Sequence, residues 1–186
     1  MNTCSHQVPL FHQSLTGRFE AVASKFRLSE AICDDSESCS YGELEQRSRS
    51  LACRIVVEIG SDPRPVAILI RNKLHGIEAI LAVIRAGHFY CALSHRDPIM
   101  RLEKVLQDLE PCLLIVDESS RLLAEKVVRE ECRIMVAEDL GDMSVPDLGI
   151  QGKPESLLGV FYTSGSTGEP KGVVRRHAHV LHRLQV

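Results

Sequence analysis

No apolar run in this chain of 186 residues approaches the roughly 20 residues needed to cross a bilayer as a helix. The N-terminus, MNTCSHQVPLFHQ, has neither a basic start nor a continuous apolar stretch, which argues against a secretory signal. The cysteines (Cys4, Cys33, Cys39, Cys53, Cys91, Cys112 and Cys132) form no C-x-x-C pair and no zinc-type spacing. Their odd number and the lack of an export signal point to reduced thiols and a cytoplasmic setting. Cys91 and Cys112 lie in apolar runs, where free cysteine packs as a small hydrophobe. Net charge is −3, which argues against general nucleic-acid binding. His177, His179 and His182 have no cysteine or carboxylate near them in sequence, so no metal site is expected there. Internal repeats and low-complexity tracts are absent.

What is present fits one folded domain. Hydrophobic residues make up 44% and charged residues 25% of the chain, ordinary for a globular protein long enough to bury a core. The charge is uneven. Residues 171–186 hold four basic side chains and no carboxylate, leaving 18 basic against 25 acidic side chains before them. A basic segment of this kind suits an anionic ligand, though a solvated helix face has the same composition.

Apolar periodicity predicts alternating elements. A short helix carries Phe19, Val22, Ala23 and Phe26. Residues 31–34 read as a weak strand and 34–38 as a turn. Ser40 and Glu43 form a capping box, so a helix starts at Tyr41 and stops at Gly60. Strands are expected at 65–70, 88–93, 112–116, 133–137 and 157–163. Helices are expected at 73–86, from Pro98 with Asp97 as its cap, at 119–131, and from Arg175 onward. A longer loop fills 138–156. Strands alternating with helices of this length predict an α/β fold, a mostly parallel sheet with helices on both faces.

The most informative stretch is LLGVFYTSGSTGEPKGVV, residues 157–174. Thr163, Ser164, Ser166 and Thr167 supply hydroxyl donors. Gly165 and Gly168 let backbone N–H groups approach a ligand, and Lys171 adds a positive charge. Composition alone would equally describe a solvated linker. Tight β-type flanks on both sides favour a phosphate-gripping loop between two strands. It is not a Walker loop, because Pro170 stands where that pattern has glycine before its lysine. The G-x-G-x-x-G pattern is missing too.

The run YTSGSTGEPKG, residues 162–172, resembles the phosphate-loop signature of adenylate-forming enzymes. That superfamily includes acyl-CoA synthetases, luciferases and the adenylation domains of nonribosomal peptide synthetases. SYGELEQRSRSLA, residues 40–52, resembles the family's first core motif, and IRAGHFYCALSHRDPIMRL, residues 84–102, its second. In the second motif, Cys91, Ala92 and Ser94 stand where the family usually has valine, proline and aspartate, which puts a local turn in question. His177 matches a histidine that often follows the family's loop.

The resemblance implies that residues 1–186 are the N-terminal part of an adenylation domain, resembling the first part of its large domain and ending just after the phosphate loop. It implies ATP and Mg2+ as cofactors and a carboxylic acid activated as acyl-adenylate, with pyrophosphate leaving. Thr163, Ser164, Gly165, Ser166, Thr167, Gly168 and Lys171 would bind the polyphosphate, and Lys171 would also serve catalysis. The family's adenine-binding aromatic, ribose-binding aspartate, magnesium-binding glutamate and C-terminal catalytic lysine have no match in these residues. Such a chain is expected to be inactive alone and to expose apolar faces that another segment or a partner chain would cover. A non-catalytic nucleotide-binding module paired with a partner chain is the alternative reading.

Overall fold

A computed structural model describes residues 14–33, 37–137, 148–150, 152–164 and 169–183. Chain order gives α1 (Leu15–Lys25), β1 (Glu30–Cys33), β2 (Ser38–Ser40), α2 (Tyr41–Ile59), β3 (Pro65–Leu69), α3 (Lys73–Arg85) and β4 (Phe89–Ala92). It continues with α4 (Ile99–Leu109), β5 (Leu113–Val116), α5 (Arg121–Val127), β6 (Arg133–Val136), β7 (Leu157–Ser164), β8 (Pro170–Arg176) and α6 (His177–Arg183). A six-stranded sheet runs β6-β5-β3-β4-β7-β8, parallel except for the antiparallel β7–β8 pair. β1 and β2 form a separate antiparallel pair.

The central strands are apolar throughout because both their faces are covered. Successive side chains of β3 and β5 alternate between two cores. Val66, Ile68, Leu113 and Ile115 pack with Leu51, Ile55, Ala82 and Val83 of α2 and α3. Ala67, Leu69, Leu114 and Val116 pack with Leu102, Leu106, Ala124 and Val127 of α4 and α5. Helices therefore lie on both faces, as the alternating pattern predicts. None of the helices described is long and apolar enough to cross a membrane.

Local chemistry sets the element ends. The Ser40 hydroxyl accepts from the Glu43 N–H at 3.3 Å and the Glu43 carboxylate accepts from the Ser40 N–H at 2.8 Å, so the capping box forms. Gly87 closes α3 at φ 83°, a conformation open to glycine at little cost. Asp117, buried after β5, accepts from Arg71 N–H at 2.7 Å, Asn72 N–H at 3.3 Å, Ser120 N–H at 2.9 Å and the Ser119 hydroxyl at 3.0 Å. One carboxylate thereby ties the end of β3 to the end of β5.

Four expectations are corrected. Asp97 does not cap α4: Pro98 is the N-cap and has no side-chain donor or acceptor, while Asp97 pairs with Arg101 at 3.4 Å. The helix expected over 119–131 is a 3-10 turn, Glu118–Ser120, followed by α5, which ends when Val128 turns extended. Arg175 and Arg176 belong to β8, where pairing with Gly159 and Leu157 holds them extended, and the helix starts at His177. Ser38, read as part of a turn, opens β2; residues 34–36 lie outside the described residues. The turn in question around Ser94 does form. Its hydroxyl accepts from Arg96 N–H at 3.2 Å, and its carbonyl from Asp97 N–H at 3.0 Å.

Candidate functional site

The β7–β8 hairpin joins the parallel sheet beside β4, with Tyr90 opposite Gly159 and the Tyr90 ring edge-on to Phe161 at 5.7 Å. A Cβ on Gly159 would lie 2.7 Å from the Tyr90 carbonyl oxygen and 3.2 Å from its ring, so no larger residue fits without displacing backbone. β7 follows the direction of the parallel strands. Its end at Ser164 therefore reaches the carboxyl edge of the sheet, where open α/β sheets receive ligands.

Cross-strand register sorts the hairpin's side chains by face. Thr163 lies opposite Lys171, and Phe161 opposite Val173, so these four share one face. Tyr162 lies opposite Gly172 on the other. A Cβ at Gly172 would come within 3.3 Å of the Tyr162 ring and 3.0 Å of a Val160 methyl, so the bare glycine makes room for the phenol.

Of the sequence-predicted site residues, the structure places Thr163 and Ser164 at the end of β7 and Lys171 near the start of β8. Gly165, Ser166, Thr167 and Gly168 lie outside the described residues. Lys171 and Thr163 are exposed side by side, and no described residue forms an ion pair with Lys171. Arg175 and Arg176 sit at the far end of β8, where the Arg176 guanidinium donates to the Glu155 carbonyl at 3.2 Å. Apolar side chains are exposed on both faces of this ribbon, Phe161 at 40% and Val173 at 42% on the Lys171 face and Val174 at 50% on the other.

Helix α4 braces the Tyr162 face. The phenol donates to the Asp108 carboxylate at 2.6 Å, and burial together with that carboxylate pushes the phenol's pKa upward. Arg101 reaches the Tyr162 carbonyl at 3.5 Å, and Lys104 pairs with Glu169 at 2.7 Å. Sequence reasoning treated these α4 residues only as parts of a helix. The available signal was their spacing, 101, 104 and 108, which puts three polar side chains on one helical face.

His177, at the start of α6, is buried, and burial holds its pKa below the usual imidazole value. Its Nδ1 accepts from the Leu15 N–H at 3.2 Å, and its ring lies against Gly152, so it joins α1 to the end of the hairpin. The His179 Nδ1 accepts from the Arg176 N–H at 3.2 Å. In both rings Nδ1 is taken by a backbone N–H, and no group of three His, Cys, Asp or Glu side chains among the described residues could hold a metal ion.

Comparisons with known proteins converge on one kind of chain. A family model described as AMP-binding enzyme matches residues 19–186. Bacitracin synthase 3 of Bacillus licheniformis is 34% identical over 171 residues, covering 91% of this chain and 3% of that protein. Nonribosomal peptide synthetase agiA of Aspergillus flavus is 30% identical over 186 residues, covering 95% of this chain and 2% of that protein. Among solved structures, the Klebsiella oxytoca NpsA N-terminal subdomain superposes with a TM-score of 0.79 at 20% identity. That match covers 94% of this chain and 44% of the other, and it shows a shared fold. The chain thus spans a small fraction of the curated relatives and less than half of the solved subdomain.

Proposed function

The chain belongs to the AMP-binding enzyme family, and on that premise we propose that residues 1–186 form the N-terminal portion of an adenylation domain whose hairpin grips the β- and γ-phosphates of ATP. The reaction is the attack of a carboxylate on the α-phosphate, giving an acyl-adenylate and releasing pyrophosphate. The observation that carries this reading is the pairing of Thr163 with an exposed Lys171 that has no ion pair among the described residues. A hydroxyl and an uncompensated ammonium side by side at the carboxyl edge of the sheet suit the terminal oxygens of a polyphosphate.

In this reading Lys171 balances charge that builds up on the leaving pyrophosphate, and the hairpin holds it in place before reaction so that little reorganisation is needed. Thr163 and Ser164, with Gly165, Ser166, Thr167 and Gly168, supply the remaining donors. The described residues do not fit a protein-held magnesium site. Glu169, the carboxylate nearest the loop, is committed to Lys104, so no step is assigned to a metal. Among the described residues, none is assigned to adenine, ribose or the acid.

Calorimetric titration with ATP tests the reading. A charge-assisted hydrogen bond contributes roughly 1.5–3 kcal/mol, so Lys171→Ala should weaken binding by about ten- to a hundredfold. A folded chain that binds no ATP at millimolar concentration, or a variant that binds as well as the parent, would contradict it.

A further inference from the structure

Between Leu157 and the end of the chain, Glu169 is the sole carboxylate side chain, and it stands two residues from Lys171. A negative charge at that distance opposes the binding of any polyanion. The structure holds it aside. Lys104 of α4 takes the Glu169 carboxylate at 2.7 Å. α4 lies on the Tyr162 face of the hairpin, as the Tyr162–Asp108 bond shows, and Lys171 with Thr163 projects from the opposite face.

We propose that Lys104 is a positioning residue of the phosphate hairpin, which draws the Glu169 carboxylate onto α4 and so clears negative charge from the face that presents Lys171. This rests on the polyphosphate reading of that face. Both partners are largely exposed, at 45% and 63% for their side chains, and exposed pairs add little to stability. Their worth is therefore in where the charge sits. Arg101 pairs with Asp97, which leaves Lys104 as the α4 cation matched to Glu169.

The test is a double-mutant cycle read by ATP affinity, with thermal unfolding followed by circular dichroism to show that each variant folds. Lys104→Met removes the restraint and frees the carboxylate. At separations of several ångströms in a screened surface setting this should weaken ATP binding roughly three- to tenfold. Glu169→Gln should bind at least as well as the parent, because the opposing charge is gone. The double variant should return to within about twofold of the parent.

A merely structural clasp would give the opposite sign for Glu169→Gln, which would then weaken binding as Lys104→Met does. A double variant as weak as Lys104→Met would mean that Lys104 meets the phosphate itself. Either result overturns the proposal while leaving the polyphosphate reading intact. Absence of ATP binding by the parent chain removes that reading, and this proposal with it.

Discussion

Replacing Asp117 by asparagine tests how the sheet's carboxyl edge is held. Each carboxylate oxygen takes two donors: Oδ2 serves the N–H groups of Arg71 and Asn72, and Oδ1 serves the Ser120 N–H and the Ser119 hydroxyl. An asparagine has one acceptor oxygen. Whichever way the amide turns, its NH2 faces two donors and two charge-assisted bonds are lost. Such bonds contribute roughly 1.5–3 kcal/mol each. One of the four is long, 3.3 Å, and the Ser119 hydroxyl can rotate toward water, so a net loss of about 2–4 kcal/mol is expected. That is a large part of a typical domain's stability.

Urea unfolding at pH 7, followed by far-ultraviolet circular dichroism, measures it. With a slope of roughly 2 kcal/mol per molar, the midpoint should fall by about 1–2 M. Burial raises the Asp117 pKa, but the bonds from Ser120, Arg71, Ser119 and Asn72 outweigh it and leave the pKa lowered. Its contribution is thus complete above the unfolded value of 3.8 and is lost as pH falls through the lower folded value. The gap between parent and variant should therefore narrow in strong acid. A midpoint at pH 7 within about 0.2 M of the parent would refute the hydrogen-bond account.

Other expectations follow from the same geometry. Gly159→Ala places a methyl at 2.7 Å from the Tyr90 carbonyl, and should cost about 1–3 kcal/mol in urea unfolding while loosening the hairpin from β4. His88 and His177 are buried, and burial, the leading cause, lowers both pKa values. Both accept backbone N–H groups at Nδ1, from Arg64 and Leu15. Below the unfolded value of 6.5 the unfolded chain takes up protons that the folded chain refuses. Stability should thus fall from pH 6.5 downward, by up to about 1.4 kcal/mol per pH unit for each histidine, until the folded values are reached. Unfolding of the parent and of His88→Asn at pH 7.5 and 5.5 checks this: equal acid sensitivity in the two would count against it.

Much of the architecture was legible in the residues. The capping box at Ser40 and Glu43, the glycine stops at Gly60 and Gly87, and the two-faced apolar strands around Val66 and Leu113 each act through near neighbours, so pattern reading finds them. Asp97 reads as a cap because proline favours the first helical position after it; in the fold Pro98 itself takes the cap position and Asp97 turns to Arg101. The reach of β8 through Arg176 depends on pairing with Leu157, a contact between distant segments that local pattern does not encode. For the candidate site, Thr163, Ser164 and Lys171 could be named from the loop's composition. The brace behind them could not, because Tyr162 meets Asp108, and Glu169 meets Lys104, only once β7 and α4 are packed together.

The central claim is that the hairpin between Tyr162 and Gly172 receives the terminal phosphates of ATP. Backbone amide resonances of the labelled chain, followed while tripolyphosphate and then ATP are added, test it most directly. Both ligands should shift the same cluster, residues 163–172, with Lys171→Ala moving the response to about ten- to a hundredfold higher ligand concentration and adenosine alone leaving it unmoved. Shifts concentrated elsewhere in the fold, or a response indifferent to Lys171, would contradict it.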